Sequence, residues 1–347
     1  MMKPGRTLVS VAAGAVGVAA AGAFNHVAAR RRAVAHGEHL AEVPLGGLRS
    51  EPLIVIADDG VELHVEVDEP DLGAPDVTLV FVHGFALNLD SWHFQRAAYR
   101  GSIRTVFYDQ RSHGRSGRSL SKNATIDQLG RDLQRVIEAT ATGPVVVVGH
   151  SMGGMTVLAL AESAPELFGD RIVGVGLVAT SAGGLDVHKM LMPFVPSLLS
   201  AGLVRRTVSV LSLGHWAIDK ARRVSWPVGL VATNQLGFGD GVRGEYVEFV
   251  DRMLTATPFE VLAAFYPNLA TLNKHSVVPV LAAVPVSIVC GTYDQITAIH
   301  HSQALHDLLP NSTLVECPGA GHMLMVERHE VVNETLDKLV ALVARQR

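Results

Sequence analysis

The chain has 347 residues, 48% of them hydrophobic, with 29 Lys and Arg against 33 Asp and Glu and a formal net charge of −4. A mean hydropathy of +0.27 supplies apolar surface for a sizeable core and excludes a largely disordered chain. The body of the chain carries no basic block, so no nucleic-acid partner is expected.

At the N-terminus, Lys3 and Arg6 precede an Ala-, Gly- and Val-rich stretch over residues 8–24, and Arg30-Arg31-Arg32 follows it. That stretch is short of the roughly 20 apolar residues a membrane span prefers. A membrane anchor or membrane-surface helix, a cleaved signal ending at Ala21-Gly22-Ala23, and a soluble extension all fit it. The three arginines would hinder export and suit retention on the cytoplasmic side of a membrane. Residues 1–36 are therefore set apart as a targeting or anchor segment, making the protein membrane-associated or exported through it and otherwise cytoplasmic. Residues 37–51, with Pro44, Gly46 and Gly47, read as a linker.

From residue 52 the hydrophobic pattern changes. Residues 53–56 and 61–67, around the turn Asp58-Asp59-Gly60, read as a hairpin whose second strand alternates like a half-exposed one. Residues 77–82 are a continuous apolar run, hence a strand buried on both faces. A short helix over 91–99, a strand over 103–108 and an amphipathic helix over 126–139 follow. Next come a β-branched run at 145–148, a helix to about 163, and a strand at 172–178. From 183 to about 277 only helical segments are expected. Strands at 284–289 and 313–317 then alternate with helices at 299–309 and 326–344. Eight strands in βα alternation predict a doubly wound, mostly parallel sheet formed by 52–182 and 278–347. The stretch 183–277 would be a helical cap over the C-terminal strand ends, where such sheets bind ligands.

The two cysteines, Cys290 and Cys317, fall near the ends of strands expected to be neighbours. Their side chains would point the same way, which suits two buried thiols better than a disulfide. No Cys-x-x-Cys or Cys/His cluster calls for a metal, and no organic cofactor is expected.

Between the strand at 145–148 and the helix after it, Gly149-His150-Ser151-Met152-Gly153 fits G-x-S-x-G. This is the sharp turn that lifts a nucleophilic serine above a sheet and aims a helix N-terminus at a developing oxyanion. A serine nucleophile needs a base, and the base needs an orienting acid. Asp294 lies just past one strand, and His322 lies in Pro318-Gly319-Ala320-Gly321-His322 just past the next. The chain order Ser151, Asp294, His322 is the one this architecture uses. Asp109 is a rival acid, read instead as tying down the loop over 111–116. His300 and His301 sit at a helix start and read as surface residues.

From about residue 52 to its end, the chain resembles the cap-bearing serine hydrolases of the α/β-hydrolase superfamily. The matching pieces are His83-Gly84-Phe85, Asp109 to Ser116, Gly149 to Gly154, Gly291 to Asp294 and Gly321-His322. That resemblance implies an eight-stranded α/β-hydrolase sheet with an inserted cap, and an oxyanion hole from the backbone N–H groups of Phe85 and Met152. It implies a carboxylesterase or lipase-like enzyme acting on a small to medium apolar ester, a small-molecule substrate. The oligomeric state is left open. C–C bond hydrolysis and cofactor-free perhydrolysis use the same triad, and a non-catalytic ligand-binding protein of this fold is the alternative outside enzymes. A serine nucleophile speaks against the epoxide-hydrolase and dehalogenase branches. Candidate substrate contacts are His83, Gly84, His150, Trp216, Phe238 and Met323. His83 and His150 also read as structural neighbours, because the adjacent backbone already supplies the chemistry. The insertion's apolar residues, among them Met190, Phe194, Trp216, Phe249, Met253 and Phe265, would line an acyl pocket or pack the cap on the core.

Overall fold

The continuous apolar runs become strands with helices on both faces. In the computed structural model, which describes residues 43–71, 76–186 and 226–346, eight strands form one sheet. They are β1 (Pro52–Ile56), β2 (Glu62–Asp68), β3 (Thr78–Val82), β4 (Arg104–Tyr108), β5 (Val145–His150), β6 (Ile172–Val178), β7 (Val286–Gly291) and β8 (Thr313–Cys317). Their order is β1-β2-β4-β3-β5-β6-β7-β8, antiparallel at β1/β2 and β2/β4 and parallel elsewhere. The helices are α1 (His93–Tyr99), α2 (Ile126–Thr140), α3 (Met152–Ser163), α4 (Trp226–Gly237), α5 (Gly244–Ala256), α6 (Phe259–Ala270), α7 (Ile299–Leu308), α8 (Leu324–Glu327) and α9 (His329–Gln346).

Every residue of β3 and β5 is buried, because alternate side chains feed two cores. Leu79, Phe81, Val146 and Val148 pack with Tyr99 of α1 and Leu336 and Leu339 of α9. Val80, Val82, Val145 and Val147 pack with Leu133 and Val136 of α2 and Val157 and Leu160 of α3. Between β6 and β7 the described residues contain α4, α5, α6 and a 3-10 helix, His275–Ala283. This excursion leaves and returns at one place: Gly183 pairs with Asn273, and Lys274 N donates to Ala182 O at 2.6 Å. The Lys274 ammonium bonds Asp127 of α2 at 2.5 Å and also Glu162 of α3.

Several elements differ from the sequence expectation. The alternating strand β2 is not half-exposed, since Glu66 and Asp68 are buried beneath α1. Arg96 of α1 covers them, with Nε and Nη2 on the two Asp68 oxygens at 2.9 and 2.6 Å and Nη1 on Glu66 at 2.6 Å. Polarity marks the alternate face of a strand, but a salt bridge lets that face be buried. Arg96→Ala strips the cation from two buried carboxylates and is expected to cost about 3–5 kcal/mol in a urea titration. The helix expected over 91–99 opens as a 3-10 turn, Leu89–Trp92, capped by the Asn88 side chain accepting from Asp90 N. Strand β7 starts only at Val286, after Pro285, which has no N–H to give a ladder. The closing helix is two helices, broken at Arg328 with φ −127° and ψ 41°. A periodic apolar pattern reports a helix face and is blind to a one-residue break.

Cys290 lies opposite Glu316 and Cys317 opposite Gly291, and both thiols are free and buried. Burial pushes both up to about 11, so neither is a thiolate near neutral pH. Among the described residues, no helix is long and apolar enough to cross a membrane. The segment 1–36, linker residues 37–42 and the residues Met190, Phe194 and Trp216 lie outside the described residues.

Candidate active site

Strand β5 ends in His150 and α3 begins at Met152, so Ser151 carries the whole change of direction. Its φ of 52° and ψ of −119° are unfavourable for a residue with a Cβ, at a cost of about 1–3 kcal/mol. Surrounding bonds hold it there: Ser151 N donates to Val178 O at 3.0 Å, and Thr180 Oγ1 donates to Ser151 O at 2.7 Å. The flanking glycines are steric necessities. A Cβ on Gly149 would lie 2.5 Å from Gly153 O, and one on Gly153 would lie 2.1 Å from Val82 O.

The parallel register brings the C-terminal ends of β3, β5, β7 and β8 to one edge of the sheet. There His322 Nδ1 lies 2.8 Å from Asp294 Oδ2, with both side chains buried. Asp294 also accepts from Ile296 N at 2.8 Å, Thr297 N at 2.9 Å and Thr297 Oγ1 at 2.8 Å. Burial alone would raise the Asp294 carboxyl, but the His322 charge and these hydrogen bonds outweigh it and hold it at about 2. An ionised Asp294 fixes the Nδ1–H tautomer of His322 and leaves Nε2 for proton transfer.

The Phe85 and Met152 N–H groups have no hydrogen-bond acceptor among the described residues. Phe85 sits in a turn whose next residue, Ala86, has φ 60°. Thr257, just after α5, donates through Oγ1 to Ala86 O at 2.9 Å, so the helical excursion buttresses that turn. Gly84 lies between them and the elbow, where a Cβ would meet His150 Nδ1 at 2.7 Å and Ser151 Cβ at 3.2 Å.

His83 and His150 are wholly buried, so neither ring has surface to offer a substrate in this conformation. His83 Nε2 accepts from Gln110 N at 2.9 Å, which makes Nδ1–H the donor to Gly84 O at 2.7 Å. Burial lowers His83 to about 4, keeping it neutral beneath the Gly84–Phe85 turn. His150 donates from Nε2 to His322 O at 3.1 Å, and its ring lies 4.7 Å from that of His322. Burial drives its protonation well below the ordinary histidine range.

Phe238 and Met323 are both buried, 4% exposed, and the chain joins them through Met323 N donating to Gly237 O at 2.8 Å. Phe238 also lines a cleft of about 800 Å³ on the Asp294 side, with Val242, Tyr293 and Gln295; Ser151 is not among its lining residues. Phe249 and Met253 pack into the α1/α9 core, whereas Phe265 stacks edge-on to Phe85 with ring centroids 6.5 Å apart. Asp109 accepts from Leu89 N at 2.7 Å and Arg115 N at 2.8 Å, the loop-tying role read from sequence. His301 departs from the surface expectation: it is half-buried, with Nδ1 3.0 Å from Ser181 Oγ, because α7 starts beside the end of β6.

Two further residues at this site, Thr297 and Glu327, are not among those expected from the sequence. Thr297 stands three residues after Asp294, a spacing that suits an Asp-capped turn and could have been read. Glu327 carried no local signal; its Oε2 accepts from Gly321 N at 2.9 Å and Gly239 N at 3.1 Å.

A family model described as "Alpha/beta hydrolase family" matches residues 79–335. The dihydrolipoyllysine-residue acetyltransferase component of an acetoin cleaving system from Pseudomonas putida is 25% identical over 265 residues, covering 76% of this chain. The chain spans only 63% of that relative's length. The 3-oxoadipate enol-lactonase 2 of Acinetobacter baylyi is 25% identical over 264 residues, covering 76% of this chain and 88% of its own. A thermophilic esterase structure from Thermogutta terrifontis superposes with a TM-score of 0.65 at 23% identity, over 85% of this chain and 100% of that one. At that identity the likeness is one of fold.

Proposed function

Because the chain belongs to the alpha/beta hydrolase family, we propose that it is a serine hydrolase cleaving carboxylic esters of small to medium apolar substrates. The observation that carries this reading is the His322–Asp294 bond of 2.8 Å, buried at the sheet edge where the strained Ser151 turn also ends. In this reading His322 Nε2 takes the Ser151 Oγ proton as the oxygen attacks the ester carbonyl. The tetrahedral oxyanion is met by the Phe85 and Met152 N–H groups, which are free of other acceptors among the described residues. One such donor is worth about 3 kcal/mol of transition-state stabilisation. His322 then passes the proton to the leaving alkoxide, the acyl group stays on Ser151, and water activated by His322 releases the acid. Residues 183–277 act as a cap that selects the acyl group, α4, α5 and α6 being its described helices, with 52–182 and 278–347 as the catalytic core. Phe265 against Phe85 supports an apolar wall near the reacting carbonyl.

A series of p-nitrophenyl esters from acetate to palmitate tests this directly. Turnover is expected, with a maximum at short to medium acyl length, together with fluorophosphonate labelling of Ser151. Absence of both turnover and labelling would sink the hydrolase reading. Labelling without ester turnover would redirect it to C–C bond or perhydrolase chemistry, and ligand binding with neither would leave a recognition protein.

A further inference from the structure

The residues on either side of the His322 imidazole are both tied to one segment, Gly237 to Gly239 at the C-terminal end of α4. Met323 N donates directly to Gly237 O at 2.8 Å. Gly321 N donates to Glu327 Oε2 at 2.9 Å, and the same oxygen accepts from Gly239 N at 3.1 Å. The two backbones touch: a Cβ on Gly321 would lie 2.5 Å from Phe238 C, and one on Gly239 would lie 1.8 Å from Gly319 O. The Glu327 carboxylate is fully buried. Among the described residues its Oε1 accepts no hydrogen bond and forms an ion pair with Arg328 Nη1 at 3.3 Å.

We propose that Glu327 is a positioning residue: its carboxylate clamps the His322 loop to the end of α4, so the base keeps its place only while that end is docked. This rests on the reading of His322 as the general base. A buried carboxylate accepting two backbone N–H groups makes charge-assisted bonds, and its removal strands both donors away from water. The α4 end and the catalytic loop then separate, and His322 loses its alignment with Asp294 and Ser151. A misplacement of about 1 Å at a catalytic group costs on the order of 10²-fold.

Glu327→Ala is therefore expected to lower kcat on p-nitrophenyl acetate about 10²-fold, with KM within roughly threefold of wild type. Glu327→Gln, whose amide oxygen can still accept from both glycines, should keep at least about a third of kcat, as expected when geometry is held. Below the melting temperature, the far-downfield proton resonance of the His322 Nδ1–H···Asp294 bond should persist in Glu327→Gln and broaden away in Glu327→Ala. If the alanine variant does not fold, Glu327→Asp, too short to span both glycines, serves in its place and should lose the resonance. Wild-type kcat in Glu327→Ala, a resonance that survives there, or a glutamine variant as impaired as alanine would each overturn the proposal. The resonance needs no turnover, so it judges Glu327 even if no ester is cleaved. If esters are cleaved and the Glu327 variants behave as wild type, only this inference fails.

Discussion

Alanine at position 151 is expected to lower kcat on any turned-over ester by about 10⁵–10⁶-fold while leaving the circular dichroism spectrum unchanged. In the proposed mechanism Ser151 forms the covalent bond, so nothing else replaces it. The residual rate would come from the Phe85 and Met152 N–H groups and from binding alone. Activity within about tenfold of wild type, far above the loss expected of a nucleophile, would mean another nucleophile. The backbone gives the experiment a second readout. Alanine at φ 52° and ψ −119° is as strained as serine, whereas glycine is not. Ser151→Gly should be equally inactive yet more stable than Ser151→Ala by about 1 kcal/mol, read as a melting temperature higher by roughly 1–2 °C. Equal melting temperatures would show that the turn stores no strain.

Asp294→Asn is expected to lower kcat about 10⁴-fold with little change in KM, because asparagine can hold His322 in the wrong tautomer. Rescue by Asp109 is not expected, since both its oxygens are bonded to the Leu89 and Arg115 backbone. The same substitution changes stability in acid, and the sign follows from the shift. Burial raises the Asp294 carboxyl, but the His322 charge and its hydrogen bonds pull it down to about 2, below its ordinary value of 3.8. A depressed carboxylate stabilises the fold above the ordinary value, and that contribution is lost as pH falls through the folded one. The contribution is about 2 kcal/mol, present above pH ~4 and gone near pH ~2. Urea midpoints measured from pH 5 to pH 2 should therefore fall less steeply for Asp294→Asn than for wild type. Asp59, held at about 2 by its hydrogen bond from Arg111, still titrates in the variant and leaves a residual slope. Identical slopes in the two proteins would mean that Asp294 is not held by His322.

The parts of this protein readable without coordinates are those governed by neighbours in the chain. Runs such as Val145 to Val148 become strands because alternate side chains have two cores to enter. The Gly149–Ser151 spacing is legible because the Gly149 clash is with Gly153 and Gly154, within a few residues of the serine, whereas Gly153 is required by Val82 O of the neighbouring strand. The order Ser151, Asp294, His322 follows because each residue trails a strand, and parallel strands bring all such trailing residues to one edge. For the same reason Cys290 and Cys317 could be read as neighbouring thiols with no disulfide.

What lay beyond the chain pattern depends on segments that meet only after packing. Glu66 and Asp68 alternate like solvent-facing residues, and only the arrival of Arg96 from α1 lets them be buried. His83 and His150 sit beside the chemistry in sequence, but their burial turns their ring nitrogens to the Gly84 and His322 carbonyls. Glu327 has no local mark at all, since its two glycine partners lie 6 and 88 positions away. A residue's type and its immediate neighbours settle the strand, the turn and the reactive group it can supply. Which distant backbone it must satisfy is settled by burial, because a polar group removed from water takes the partner that the packed chain brings to it.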